Sequence, residues 1–268
     1  MEGKVVIITG ASSGIGKALA YKFSAEGSKV VLGARNHENL KKVAQVISSK
    51  GGDAVYCVTD VSKENDCKNL VLTAVEKYGK IDVLINNAGI SMRAMFNDSK
   101  LDVLKQLMNI NFWGAVYCTK HALPYLLKTK GSVVGVSSIA GLKGLPGRTG
   151  YSASKFAMNG FFETLRIENL KTGLHVLMAF PGFTASNIRN TALAADGSMQ
   201  GESPRNEDKM MTAEEVSNHI YKAVVKRKNR IILTTQGKLT FWINKFFPDW
   251  LDKQVYHHMA QEPDSPFK

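Results

Sequence analysis

The chain of 268 residues has only three cysteines and no run of eighteen or more apolar residues. Cys57, Cys67 and Cys118 are odd in number and lack metal-site spacing, so we expect a reduced, cytoplasmic protein without disulfides. The lack of a long apolar run predicts that no helix spans a membrane. Met1 to Lys4 leads directly into apolar residues, which leaves no room for a signal peptide.

Acidic residues are also scarce, since 23 Asp and Glu stand against 35 Lys and Arg, a formal charge of +12. A nucleic-acid-binding protein would concentrate this charge in a recognisable module, and no such module is visible, so we expect no nucleic-acid partner. A solvated lysine surface is the simplest interpretation, with attraction to an anionic cofactor, substrate or membrane as the alternative. His257 and His258 near the polar terminus predict exposed side chains rather than a metal site.

Seven short apolar segments rich in Val, Ile and Leu alternate with amphipathic segments. The predicted strands are 5–9, 29–33, 54–58, 83–86, 132–137, 174–180 and 230–234. The predicted helices are 15–26, 38–49, 63–78, 99–127, 151–170 and 213–226. Repeated strand–helix–strand units predict an α/β fold: a doubly wound, Rossmann-type parallel sheet of about seven strands with helices on both faces. We expect one domain over residues 1–268.

Two stretches interrupt this alternation. Residues 185–212 hold small and polar residues, are too long for an ordinary connection, and predict an active-site lid. The lid ends at Thr212 and Glu215, a capping-box pattern that starts a helix. The tail at 237–268 combines Phe and Trp with lysines. It could contact an anionic membrane, close over an apolar substrate, or pack on the enzyme's own core or another subunit.

A glycine-rich turn follows the first predicted strand. Gly10, Gly14 and Gly16 stand in the spacing G-x-x-x-G-x-G between that strand and helix 15–26. Glycine lets backbone amides approach a pyrophosphate, and the N-terminus of the next helix adds a favourable dipole. Such a turn can also be purely structural. As a nucleotide site it would use Ser12, Ser13 and Ile15 as well.

The end of the second predicted strand carries no carboxylate. It reads Ala34-Arg35-Asn36, where an NAD site would place an acid to hold the ribose 2′-hydroxyl. The planar, permanently charged guanidinium of Arg35 suits a phosphate dianion. We therefore predict NADP(H) as the cofactor, with Arg35 and Asn36 at its 2′-phosphate; a surface arginine at the strand end is the alternative.

Tyr151 and Lys155 lie four residues apart at the start of a predicted helix, directly after the fifth strand. Residues at this spacing point the same way, and ligands of open α/β sheets bind at the carboxyl edge. A phenol of pKa about 10 is a poor base at neutral pH, and a nearby ammonium is expected to lower that pKa. Ser138, at the end of the fifth strand, can hydrogen-bond a substrate oxygen. The pattern indicates hydride-transfer chemistry on a carbonyl.

With these motifs the chain resembles the short-chain dehydrogenase/reductase family over about residues 3–235. The matching positions are Thr9 to Gly16, Asp60 and Val61, Asn86 to Gly89, Asn111, Ser138, Tyr151, Lys155, Pro181 and Gly182. The resemblance implies that Tyr151 is the acid/base and that Ser138 orients the carbonyl. It implies that Lys155 holds the nicotinamide ribose, and that Asn111 positions a water in a proton relay from Lys155.

The resemblance also assigns the remaining cofactor contacts. Asp60 and Val61 would flank the adenine, Asn87, Ala88 and Gly89 the adenosine ribose, and Pro181 to Thr184, with Gly182 between them, the nicotinamide. The family usually has a threonine four residues after the glycine, where this chain has Ser186. Whether Thr184 or Ser186 contacts the cofactor is therefore left open, and so is oligomer size, with a homodimer or homotetramer through helices 99–127 and 151–170 expected.

The resemblance is strongest to the branch of 11β-hydroxysteroid dehydrogenase and the SDR-family-member-7 reductases. A bulky apolar carbonyl substrate is expected, because Met92, Leu142, Leu145, Phe183 and the tail could converge beside Ser138. Two other functions are considered. One is a lipid-pathway 3-oxoacyl or 3-ketosphinganine reductase, and the other is a non-catalytic nucleotide-binding regulatory protein.

Overall fold

A computed structural model of the chain describes residues 1–185, 188–201, 210–262 and 265–267. Within this part of the chain seven strands form one parallel sheet in the order β3-β2-β1-β4-β5-β6-β7. The strands are β1 Val5–Thr9, β2 Lys29–Ala34, β3 Ala54–Val58, β4 Val83–Asn86, β5 Ser132–Val136, β6 His175–Phe180 and β7 Arg230–Ile232. Strand order reverses between β1 and β4, the place where open α/β sheets bind ligands. The predicted fold class is confirmed.

Nine α-helices accompany the sheet in the described ranges. They are α1 Gly14–Ala25, α2 His37–Ser49, α3 Glu64–Tyr78, α4 Leu101–Leu107, α5 Gly114–Thr129, α6 Thr149–Glu168, α7 Ala213–Val225, α8 Thr235–Phe246 and α9 Pro248–Ala260. A π-helical segment, Met108–Trp113, joins α4 to α5, and a 3₁₀ turn, Ile139–Gly141, follows β5.

The sheet has a hydrophobic layer on each face. In β1, Val5 and Ile7 pack with α3, α5 and α6, whereas Val6 and Ile8 pack with α1, α2 and α7. Because both faces are covered, the central strands consist of apolar residues without polar alternation. This explains why the apolar runs in the sequence predict the strands so well.

Two predicted elements differ from the structure. The predicted helix 99–127 is interrupted by the π-helical segment, in which each amide bonds five residues back instead of four. The last strand ends two residues early because the Thr234 hydroxyl accepts a hydrogen bond from the amide of Gly237 at 3.0 Å and caps α8. The predicted capping box at Thr212 and Glu215 is confirmed.

The tail forms α8 and α9, which pack on the rest of the chain. Lys143, in the loop after the 3₁₀ turn, donates to Asn244 of α8 at 2.8 Å and pairs with Asp252 of α9 at 2.5 Å. The tail helices are thereby fixed beside the carboxyl ends of β5 and β6. No helix in the described residues is both long enough and apolar enough to cross a bilayer.

Candidate active site

The turn between β1 and α1 requires glycine at two points. Gly10 has a φ of 67°, in the left-handed region that side chains rarely adopt. A Cβ on Gly16 would lie 2.1 Å from the carbonyl oxygen of Gly10, so no side chain fits there. The backbone is consequently folded tightly against the start of α1, whose N-terminus faces the loop and favours anionic groups.

A groove of about 670 Å³ runs along the carboxyl edge of β1, β2 and β4. Twelve of the residues predicted to hold the cofactor line it: Gly10, Ser12, Ser13, Gly14, Ile15, Arg35, Asn36, Asp60, Val61, Asn87, Ala88 and Gly89. The described part of the predicted lid also lines it, through Ile188, Thr191, Leu193 and Met199. Volume and lining suit an extended dinucleotide.

The adenosine end of the groove is defined by the loops after β2 and β3. Arg35 is exposed there, while the side-chain Oδ1 of Asn36 accepts from the amide of Asn39 at 2.9 Å and caps α2. Of the described residues that line the groove, one is acidic, Asp60. Its carboxylate accepts two hydrogen bonds from Ser62. The side chain that the end of β2 presents to this groove is thus the Arg35 guanidinium.

Hydrogen bonds lock the ends of β1 and β4 together at the switch point. The Thr9 hydroxyl accepts from the amides of Asn87 and Ala88, each at 3.0 Å, and the Asn87 side chain donates to the Thr9 carbonyl at 2.9 Å. These hydrogen bonds make the floor of the groove rigid. The side chain of Asn87 contributes by its bond to the Thr9 carbonyl.

Two hydroxyls meet where β5 and α6 approach each other. Tyr151, in the first turn of α6, is buried, and the side chain of Ser138 lies close enough to it to act on the pKa of its hydroxyl. Ser138 follows β5 and also accepts from the amide of Ala140 at 3.2 Å, which fixes its side chain. The structure therefore brings together two groups that can contact one carbonyl oxygen.

Burial dominates the ionisation of this site. It raises the pKa of the Tyr151 hydroxyl, against the opposing effects of the nearby Ser138 side chain and the Arg148 charge. Lys155 Nζ donates to the Val136 carbonyl at 3.0 Å and lies 5.8 Å from the centre of the Tyr151 ring, and burial lowers its pKa to about 8. The expected lowering of the tyrosine pKa is thus wrong for the protein's own groups, because desolvation outweighs the neighbouring charges.

Asn111 lies in the π-helical segment and is completely buried. Its amide nitrogen donates to the Ile90 carbonyl at 3.0 Å and to the Ser154 hydroxyl at 2.9 Å, and its oxygen accepts from the amide of Ile90 at 2.8 Å. A Cβ on Gly89 would lie 3.0 Å from Asn111 Oδ1 and 3.5 Å from Lys155 Nζ. Both side chains therefore face the same loop.

Ser154 was missed by the sequence analysis. Its hydroxyl donates to the carbonyl of Tyr151 at 2.8 Å and accepts from Asn111, so it connects the tyrosine's helical turn to the π-helical segment. The signal was available, because Ser154 stands three residues after Tyr151 and so shares its helix face.

A second cavity, of about 870 Å³, begins at Ser138 and extends under the tail helices. Its wall is mainly apolar and includes Leu145, Phe183, Met211, Leu239, Ile243, Trp250, Leu251 and Met259. Leu145, Phe183 and the tail therefore converge as expected. Met92 instead packs in a buried cluster with Tyr151, and Leu142 lines a separate cleft beside Phe241.

The remaining predicted cofactor residues lie away from the groove surface. Gly16 packs against Gly10, and Gly182 lines the second cavity. Thr184 is buried and donates to the carbonyl of Gly182 at 3.2 Å. Ser186 lies outside the described residues. His258 lines the second cavity, and in the described ranges no three His, Cys, Asp or Glu side chains are grouped for a metal.

Comparison with known proteins agrees with this geometry. The model of the family described as short chain dehydrogenase matches residues 4–196. The chain belongs to the short-chain dehydrogenase family. It is thereby an oxidoreductase of a family that uses a nicotinamide cofactor and small-molecule substrates.

Its relatives include two named branches of that family. The chain is 37% identical over 253 residues to 11-beta-hydroxysteroid dehydrogenase-like 4A of Arabidopsis thaliana, covering 94% of this chain and 83% of the relative. It is also 37% identical over 241 residues to Dehydrogenase/reductase SDR family member 7B of Rattus norvegicus, covering 87% and 74%.

Solved structures share the fold at lower identity. A short chain dehydrogenase/reductase from Burkholderia phymatum in complex with NAD has a TM-score of 0.83 at 24% identity, covering 94% of this chain and 95% of its own. An alcohol dehydrogenase from Thermococcus sibiricus complexed with 5-hydroxy-NADP has a TM-score of 0.75 at 24% identity, covering 87% and 96%.

Proposed function

We propose that this protein is an NADP(H)-dependent oxidoreductase that interconverts an apolar carbonyl compound and its alcohol. It would act as one domain over residues 1–268, with a lid at 185–212, and its free cysteines fit a cytoplasmic setting. The observation that carries the proposal is the proximity of the buried Tyr151 to Ser138, which lines an apolar cavity, beside a groove sized for a dinucleotide.

Tyr151 would donate the proton to the carbonyl oxygen, and Ser138 would hold that oxygen in place. A phenol whose pKa is raised by burial holds its proton at neutral pH, so the proton is available for the carbonyl oxygen when negative charge develops there. The bound cofactor would supply the hydride to the carbonyl carbon.

Lys155 and Asn111 would support the proton donor. With a pKa of about 8, Lys155 is largely charged at neutral pH and can hold the hydroxyls of a ribose. The space in front of Gly89 lies near both Asn111 Oδ1 and Lys155 Nζ. A water there would meet both groups and could return a proton to the tyrosine after each turnover.

Arg35 supports NADP(H) as the cofactor, because its guanidinium is exposed at the end of β2 and lines the groove. A carboxylate at this place would repel a 2′-phosphate and attract a ribose hydroxyl. Arg35→Asp is expected to reverse the preference for NADPH over NADH, measured as the ratio of the two kcat/KM values. An unchanged ratio would contradict the assignment.

The apolar wall of the second cavity supports a bulky apolar substrate. The test is NADPH oxidation by the purified enzyme over a panel of steroids, long-chain aldehydes, quinones, 3-oxoacyl esters and small polar ketones. Turnover of the large apolar members well above the small polar ketones is expected. The reverse order would contradict the apolar substrate, and NADPH binding without turnover of any member would contradict the enzymatic function.

We also propose a homodimer or homotetramer through α5 and α6. Trp113, exposed just before α5, stacks on Tyr117 with ring centres 5.7 Å apart. Exposed aromatic clusters of this kind are typical of protein interfaces. Light scattering should give a mass that is a multiple of 29.4 kDa, and Trp113→Glu should reduce it to one chain.

A further inference from the structure

The corner between α8 and α9 projects large aromatic side chains into solvent. Trp242, Phe246, Phe247 and Trp250 have exposed fractions of 57, 70, 65 and 54%. Single exposed apolar side chains are ordinary on protein surfaces, but four large aromatic rings within nine residues form a patch. The same helices use other residues, such as Leu251 and Met259, to pack inward. Trp250 also lines the Ser138 cavity, so Trp242, Phe246 and Phe247 are the rings that contribute neither to the core nor to that cavity.

Exposed charges of both signs border this aromatic corner: Lys245 and Lys253 are the cations, and Asp249 and Asp252 the anions, of which Asp252 is paired with Lys143. Lys245 Nζ lies 4.6 Å from the ring centre of Phe241 and 5.0 Å from that of Trp242. Lys245 also lines a cleft of about 410 Å³ together with Arg166 of α6 and Arg230 of β7.

The charges in this cleft are not balanced by its acidic residue. Glu163 lies 3.4 Å from Arg166 and 4.0 Å from Arg230, so one carboxylate faces three cations among the described lining residues. The floor of the cleft includes the buried rings of Phe162 and Phe180. The cleft thus combines a cationic rim with an apolar floor.

We propose that the α8–α9 corner, with Lys245, Arg166 and Arg230, is a docking surface for an anionic lipid bilayer. Aromatic rings favour the boundary between headgroups and acyl chains, and neighbouring lysines and arginines attract anionic lipid phosphates. The corner would enter the bilayer surface without spanning it. This inference goes beyond the proposed function and does not depend on it.

The charge of the surface favours a bilayer over a second copy of the chain. A two-fold interface through this corner would bring the same basic rim close to its own copy. Like charges across an interface are unfavourable, whereas an anionic surface is complementary to three cations. The chain as a whole carries a formal charge of +12, which adds a long-range attraction to anionic membranes.

The test is co-sedimentation of the full-length protein with vesicles of phosphatidylcholine alone or with about 30% phosphatidylserine. We expect the wild type to bind the anionic vesicles, and to bind them less at high salt. W242S/F246S should lower the partition coefficient by about 10-fold or more, since two aromatic rings no longer enter the interface. K245E should lower it by on the order of 10-fold on anionic vesicles only.

Matched controls are V46S, which removes an exposed apolar side chain on α2, and K77E, which reverses an exposed charge on α3. V46S should bind like the wild type, and K77E should differ from it only by the effect of lowering the net charge by two units, the same change that K245E makes. NADPH binding and circular dichroism should be unchanged in W242S/F246S, because neither residue lines the groove or the Ser138 cavity.

Two results would overturn the inference. One is equal partition of the wild type and W242S/F246S, or no binding of the wild type to anionic vesicles. The other is a loss of oligomeric mass in W242S/F246S by light scattering without any vesicle binding of the wild type, which would assign the corner to a second copy. If the wild type turns over no carbonyl compound, that result contradicts the proposed function and not the docking of this surface on a bilayer.

Discussion

Replacement of Lys155 by Met is expected to abolish turnover and yet relieve a penalty on folding. Lys155 is almost fully buried, and burial lowers its pKa from 10.5 to about 8. Keeping a proton on this amine at pH 7 therefore costs the folded state about 3 kcal/mol relative to the unfolded chain. Methionine has a similar length and carries no charge, so Lys155→Met removes this cost.

The substitution also removes the hydrogen bond from Lys155 Nζ to the Val136 carbonyl. A buried carbonyl left without that partner costs about 1–3 kcal/mol, which offsets much of the gain at pH 7. The cost of the lost hydrogen bond does not depend on pH, whereas the cost of keeping the buried Lys155 protonated does. The informative quantity is thus how the stability difference between wild type and variant changes with pH.

The sign of this pH dependence follows from which state, folded or unfolded, binds the lysine proton more tightly. Between about pH 8 and 10.5 the unfolded state holds the lysine proton more tightly than the folded state, so the wild type gains stability as pH rises through this window. Relative to Lys155→Met, the free energy of unfolding of the wild type should increase by about 2 kcal/mol from pH 7 to 9.5. The raised pKa of Tyr151 affects both proteins and largely cancels from the difference.

Urea unfolding at several pH values measures this difference. Lys77→Met, at an exposed position on α3, is the matched control, and its difference from the wild type should stay constant. A difference between wild type and Lys155→Met that does not change between pH 7 and 9.5 would refute the reasoning, because Lys155 would then ionise as it does in water.

Two further changes test the backbone. Gly16→Ala would place a methyl group 2.1 Å from the Gly10 carbonyl, so we expect at least 10-fold weaker NADPH binding and a loss of about 1–3 kcal/mol of stability. Gly144→Ala, with nothing within 4 Å, is the control, and equal NADPH titrations of the two variants would contradict this. Thr212→Ala removes the capping box with Glu215 and should cost about 1 kcal/mol in urea unfolding, so an unchanged midpoint would contradict the role of the cap.

The sheet was predictable because its strands are apolar on both faces and each is followed by an amphipathic helix. The end of β7 was not predictable, because the strand propensity of Thr234 does not reveal that its side chain caps a helix instead of extending the strand. The π-helical segment was also missed. Its cause is tertiary: Asn111 is drawn inward by hydrogen bonds to Ile90 and Ser154, contacts that no local sequence period records.

The site was predictable where a residue type is demanded by the backbone or by the chemistry. Gly10 and Gly16 are required by close approach, and Tyr151 and Ser138 meet because both lie at the carboxyl edge of β5. Burial raises the pKa of Tyr151, an effect that the prediction did not include, because spacing gives the distance to a charge but not the degree of burial. The place of Met92, under the tyrosine instead of in the cavity, likewise depends on packing.

Tyr151→Phe is the most direct test of the account, since it removes one hydroxyl and leaves the ring buried. With the carbonyl that is reduced fastest, kcat should fall by about 10²- to 10⁴-fold, as expected for the loss of a proton donor. The Kd for NADPH, titrated by fluorescence, should stay close to the wild-type value, and Tyr125→Phe should leave both quantities unchanged. Full turnover in Tyr151→Phe would contradict the proposal that this hydroxyl donates the proton.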